Sequence, residues 1–152
     1  MFMELIIAGI SALVAVTSII CSVITYRINV LHDRKQSTLD AYNRLQTEVF
    51  DFLNLYSMSE IEEICNNTKS ENYKVLSGYI ARIEHFCIGV NEKIYDRNVF
   101  YKLAHGYFDG PILQRRVIPI LDSKKNAKEY YSNTYELLEW MNKKSRNDKK
   151  IY

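Results

Sequence analysis

Between Leu5 and Tyr26 no side chain carries a charge. A helix over those 22 residues would rise about 33 Å, slightly more than a bilayer's hydrocarbon core of roughly 30 Å. A cleaved secretory signal competes for such a run, but it needs a basic start and an apolar core of about 7–15 residues. Met1, Phe2, Met3 and Glu4 are not basic, and the run is longer. The segment therefore reads as an uncleaved transmembrane helix within residues 1–30, spanning about 5–26. All 20 Lys and Arg lie at or beyond Arg27, and Arg27, Arg34 and Lys35 crowd the C-terminal flank. Basic flanks stay cytoplasmic. The expectation is a single pass through the inner membrane, N-terminus outside and the remainder in the cytoplasm. Cys65 and Cys87 should then be free thiols, and Cys21 a small filler within the span.

A second pattern lies within the span. Alternating steps of three and four connect Ala8, Ser11, Ala15, Ser18, Ser22, Thr25, Asn29 and His32, all small or polar. The large aliphatics fall mostly elsewhere around the helix. Steps averaging 3.5 residues define a left-handed seam. Close packing of small residues against another helix explains such a stripe. So does a pore lined by several identical helices, and chance placement of Ser and Thr is a third explanation. Packing and pore both require more than one span, so the expected partners are the lipid bilayer and further copies of the chain.

Beyond the span the apolar spacing is helical throughout, and no alternating run is long enough for a strand. The fold expected is all-α: one N-terminal transmembrane helix, a cytoplasmic domain of about four to five helices over 31–144, and a frayed basic tail over 145–152. Leu31, Thr38, Tyr42, Leu45, Val49, Phe52 and Tyr56 predict one inward face, on a helix from about Ser37 to Tyr56 that can be continuous with the span. Ser59 and Glu62 have capping-box spacing before a short helix ending near Asn66 and Asn67. Ser70 can cap the next helix, whose face is Leu76, Ile80, Ile83, Cys87, Val90 and Ile94. Asp96 reads as an N-cap before Val99, Phe100, Leu103 and Tyr107. Gly110-Pro111 ends or kinks that helix, and Pro119 argues for a further kink or an early stop. A last helix is expected from about Asn126 to Lys144, with Tyr130 or Tyr131, Leu137, Leu138 and Met141 inward.

The run Val90-Asn91-Glu92-Lys93-Ile94-Tyr95-Asp96-Arg97, followed by Phe100-Tyr101-Lys102-Leu103-Ala104-His105-Gly106-Tyr107-Phe108, resembles an uncharacterised bacterial family. So do Pro119 and the later Tyr131, Leu138 and Trp140. That resemblance implies one N-terminal span and a helical cytoplasmic domain, and it brings no activity. Physically the pattern reads as a tight corner between helices, where Gly89 and Gly106 permit close approach. More loosely, the layout is similar to small membrane effectors of bacterial antiphage systems.

Catalytic signatures are missing. His32, His85 and His105 are far apart, and Glu84 and His85 are helix neighbours that do not face one another. No Walker A, H-E-x-x-H, G-x-S-x-G or G-x-G-x-x-G occurs. Three cysteines cannot form a fully paired framework, and none sits in a metal-spaced pair. No enzyme, cofactor or metal is expected. Charge is asymmetric instead. Residues 27–110 carry ten basic and twelve acidic groups, whereas residues 111–152 carry ten basic and five acidic. Arg115, Arg116, Lys124, Lys125 and Lys128 are candidate contacts for anionic lipid or for a phosphate-bearing nucleotide or oligonucleotide. The functional expectation is a homo-oligomeric membrane effector, pore-forming and regulated through its cytoplasmic domain. The alternative is a tethered interaction module, bound to a cytoplasmic partner protein, whose span only anchors and dimerises.

Overall fold

A computed structural model describes residues 2–104, 117–124 and 126–148, and every regular element among them is helical. The break expected at Gly110-Pro111, the glycine Gly106, and His105, Tyr107, Arg115, Arg116 and Lys125 lie outside the described residues. The chain divides into two units, Met1–Gln36 and Ser37–Tyr152.

The first unit is helical from Phe2, within α1 (Phe2–Leu45). This helix is long and apolar enough to cross a membrane, and none of its most apolar stretch is buried within the chain. Every large aliphatic side chain from Ile6 to Leu31 is exposed, Leu13 at 70% and Ile19 at 64%.

In the second unit α1 continues through Thr38, Tyr42 and Leu45, all buried as expected. The expected face then fails. A π-helical turn, Gln46–Phe50, precedes α2 (Asp51–Asn54), and the Asp51 N–H reaches back to the Gln46 carbonyl. A π-turn takes one more residue than an α-turn, which rotates everything beyond it. The inward positions therefore become Val49, Phe50 and Leu53, each 0% exposed, instead of Val49, Phe52 and Tyr56. Phe52 and Tyr56 are half-buried on the flank, where Phe52 stacks on Tyr79 with ring centroids 4.4 Å apart.

The next helix, α3, runs Met58–Asn66. Its capping box is Ser57 with Glu60, not Ser59 with Glu62. The Ser57 hydroxyl accepts from the Glu60 N–H at 3.3 Å, and the Ser57 N–H donates to Glu60 Oε2 at 2.6 Å. Both pairs have the required spacing. Starting at Ser57 carries the helix a half-turn further back and still buries Ile61 and Cys65.

The central helix is α4 (Glu71–Asn91), capped by Ser70, whose hydroxyl accepts from the Tyr73 N–H at 3.1 Å. It packs against α3, the π-turn and the three helices α5, α6 and α8 described below. Leu76, Ile80, Ile83, Cys87 and Val90 are buried, but Ile94 is 61% exposed. The helix has ended by then. Lys93 takes the left-handed conformation (φ 60°), and the Tyr95 N–H returns to the Gly89 carbonyl at 2.9 Å. That fold-back lays the Tyr95 ring over Gly89, where any Cβ would overlap it. Asp96 then caps α5 (Arg97–Ala104) through Oδ1, which accepts from the N–H groups of Asn98 and Val99 at 2.9 and 3.0 Å. Tyr42 sits at the aromatic centre, 6.2 Å from both Phe86 and Phe100.

The residues before Val117, on which a kink or stop at Pro119 would act, lie outside the described residues. Pro119 itself lies in the first turn of α6 (Ile118–Asp122), where a missing N–H costs nothing to that helix. The expected last helix is divided in two: α7 (Ala127–Tyr130), then α8 (Ser132–Asp148). Leu137 and Met141 are buried and Tyr130 is 70% exposed. Helix continues past Lys144, with Ser145 buried, where a frayed tail was expected.

Candidate functional sites: a polar stripe and a basic cleft

The stripe residues Ala8, Ser11, Ala15, Ser18, Ser22, Thr25, Asn29 and His32 are all helical and all exposed. Ser18 Oγ donates to the Val14 carbonyl at 2.9 Å, and Ser22 Oγ to the Ser18 carbonyl at 2.8 Å. Thr17, off the stripe, does the same to Leu13 at 2.8 Å. These hydroxyl protons are used inside the helix. Ser18 and Ser22 therefore leave no orphan hydroxyl donor and place only oxygen lone pairs on the stripe.

Of the basic set at the C-terminal end, the two described residues, Lys124 and Lys128, line different clefts. Lys124 Nζ lies 5.3 Å from the Tyr131 ring centroid and 5.5 Å from that of Tyr73. It lines a cleft of about 360 Å³ with Glu84, His85, Tyr130 and Tyr131. Lys128 lines another, of about 550 Å³, together with Glu136 and Glu139, which pair with Arg97 and Lys143.

Sequence reasoning missed the residue that organises this region. Glu84 is 6% exposed. Its Oε1 accepts from the Asn133 N–H and side-chain amide at 3.0 and 2.9 Å. Its Oε2 accepts from the Thr134 N–H and hydroxyl at 2.8 and 2.6 Å. Those N–H groups belong to the first turn of α8, so a carboxylate on α4 caps a helix beginning 48 residues later in the chain. One sequence signal pointed this way: Tyr131, at the N-cap position of α8, has no oxygen able to reach back. Cys87 lies one turn from Glu84, and burial pushes its thiol up to about 12. Burial raises Cys65 as well. Neither thiol is bridged, and the thiolate, the reactive form, is disfavoured at both. His85, beside Glu84 in the lining of the same cleft, is exposed.

Sequence reasoning also missed a cleft of about 290 Å³ where Arg44 of α1, Glu48 of the π-turn, Arg82 and His85 of α4, and Tyr95 meet. Arg82 Nη1 donates to Glu48 Oε2 at 2.9 Å, while its guanidinium carbon stands 5.6 Å from the Tyr79 ring centroid. The floor is Phe86, stacked on Tyr95 at 5.3 Å. Among the described residues, no group of three or more His, Cys, Asp or Glu is placed to hold a metal ion.

These features define an all-helical protein with one long, lipophilic N-terminal helix. No protein-family model matches the chain, no curated protein matches it, and no solved structure matches it.

Proposed function

We propose that this protein is a homo-oligomeric effector of the inner membrane. In this reading α1 crosses the bilayer with its N-terminus outside. Copies of α1 pack along the Ala8-to-His32 stripe, and the helical bundle from Ser37 onward is the cytoplasmic part that meets a ligand or partner. One observation carries the reading: every large aliphatic from Ile6 to Leu31 is exposed, on a helix nothing else in its unit covers. So large an apolar surface on a monomer marks a membrane or a partner. The internally bonded hydroxyls of Ser18 and Ser22 favour a packed seam, because packing needs only small size while a lumen needs hydration.

Cross-linking in native membranes tests the seam. With Cys21 replaced by Ala, oxidation should join Ser18→Cys protomers and leave Ile19→Cys protomers monomeric. No cross-link at either position overturns the oligomer. Conductance in a planar bilayer separates packing from pore. The packed seam predicts no current from the wild-type protein. A current that falls in the Ser18→Ala, Ser22→Ala double variant, with oligomeric mass unchanged, would make the stripe a pore lining.

A further inference from the structure

The cleft holding Arg44 and Arg82 shares His85 with the cleft holding Lys124, Tyr130 and Tyr131. The two clefts adjoin at that residue, and their chemistry differs. The first offers two guanidinium groups and an imidazole. Glu48 occupies one edge of Arg82 and Tyr79 supports its face, so the guanidinium is already oriented and keeps donors to spare. Among the described residues, no ion pair engages Arg44. Such paired Arg donors suit a phosphate, which accepts bidentate hydrogen bonds. The second offers the exposed ring of Tyr130 beside half-buried Tyr131, with Lys124 held over the latter. Its one carboxylate, Glu84, already accepts from four donors and faces inward. A planar heterocycle stacks well on such rings.

The wall of the first cleft is the π-turn, and such turns recur at functional sites. Here its extra residue turns Val49, Phe50 and Leu53 into the core while Glu48 remains on the rim beside Arg82. A regular helix at this point would have kept Phe52 and Tyr56 inward.

We infer that these two adjoining clefts together bind one nucleotide-class ligand, its phosphate between Arg44 and Arg82 and its base against Tyr130 and Tyr131, with His85 between. The inference does not depend on α1 crossing a bilayer. Failure of the cross-linking or conductance experiments leaves it standing, and its own failure leaves the membrane reading intact.

Calorimetric titration of the full chain in neutral detergent at low salt tests it, with AMP, adenosine and inorganic phosphate as probes. AMP should bind saturably and about tenfold tighter than adenosine, which lacks the charge-assisted contact, and than inorganic phosphate, which lacks the stacking contact, each worth about one decade in affinity. Arg44→Gln and Arg44→Glu should each weaken AMP by about tenfold or more, because both remove those contacts. Arg44 is exposed, so neither should unfold the chain. Tyr130→Ala should weaken AMP and adenosine and leave inorganic phosphate unchanged. Lys128→Glu, in a separate cleft, should leave all three unchanged. Absence of saturable AMP binding overturns the inference. So does AMP binding no tighter than inorganic phosphate, or unaltered in both Arg44 variants.

Discussion

Glu84 Oε2 accepts both the backbone N–H and the hydroxyl of Thr134, at 2.8 and 2.6 Å, across 50 residues of chain. A helix start lacking a capping side chain of its own is completed by a buried carboxylate on the helix it packs against. Glu84→Ala would leave the Asn133 and Thr134 donors unpaired and buried. Unpaired buried donors cost about 1–3 kcal/mol each, so the expected loss is at least about 2 kcal/mol in chemical denaturation. Glu84→Gln, which keeps one acceptor, should lose less. Glu62→Ala, on an exposed face, should stay within about 0.5 kcal/mol. Equal stability of Glu84→Ala and Glu62→Ala would show that the carboxylate does not cap α8.

The Gly89–Tyr95 contact leaves no space for a methyl group. Gly89→Ala should cost about 1–3 kcal/mol, the usual range for overpacking. Gly89→Ala combined with Tyr95→Leu should cost less than the two single changes added together, since residues in contact couple. Strict additivity in a double-mutant cycle would show that the ring does not press on Gly89.

The Cys87 thiol holds its proton more tightly in the folded chain, up to about 12 against an ordinary value of 9.0. A raised acid stabilises the fold fully below pH 9 and loses that contribution as pH climbs from 9 toward 12. Alkaline titration of wild-type stability should fall more steeply over that window than that of Cys87→Ala. At pH 8 iodoacetamide should modify Cys87 only after denaturant is added. Rapid labelling of the native chain at Cys87 would contradict its burial.

At the start of α3 the Ser57 hydrogen bonds hold the Glu60 carboxyl below its usual range. A depressed acid contributes stability above the ordinary value of 4.5 and loses it as pH falls through the folded value. Amide exchange in α3 should therefore accelerate between pH 5 and pH 3, beyond the intrinsic change, in the wild type. Glu60→Gln keeps the capping geometry and removes the charge, so its protection should be flat over that range. Parallel profiles in both proteins would mean the box does not depend on ionised Glu60.

Local periodicity and composition were enough to read the uncharged stretch of α1, the small-residue stripe, the all-helical class, and the caps at Ser70 and Asp96. Each depends on residues within a turn or two of one another, or on composition alone. Several failures of expectation were decided by contacts beyond a single helical turn. Phe52 and Tyr56 had the right spacing to be core, but the π-turn shifted the face by one residue so that Phe50 and Leu53 could fill the centre beside Tyr42. Ile94 continued the apolar spacing of α4, yet Tyr95 folds back over Gly89 and ends the helix before it. Glu84 stood out only as a helix neighbour of His85, because nothing within four residues reveals that the amides of α8 need it. The cleft is tertiary for the same reason: Arg44, Arg82 and Tyr95 lie on separate segments, and only helix packing brings them to one recess. Helical periodicity is a short-range property that residue order carries. Side-chain pairing across 50 residues is set by which surfaces bury together, and that is decided only when the second unit is packed.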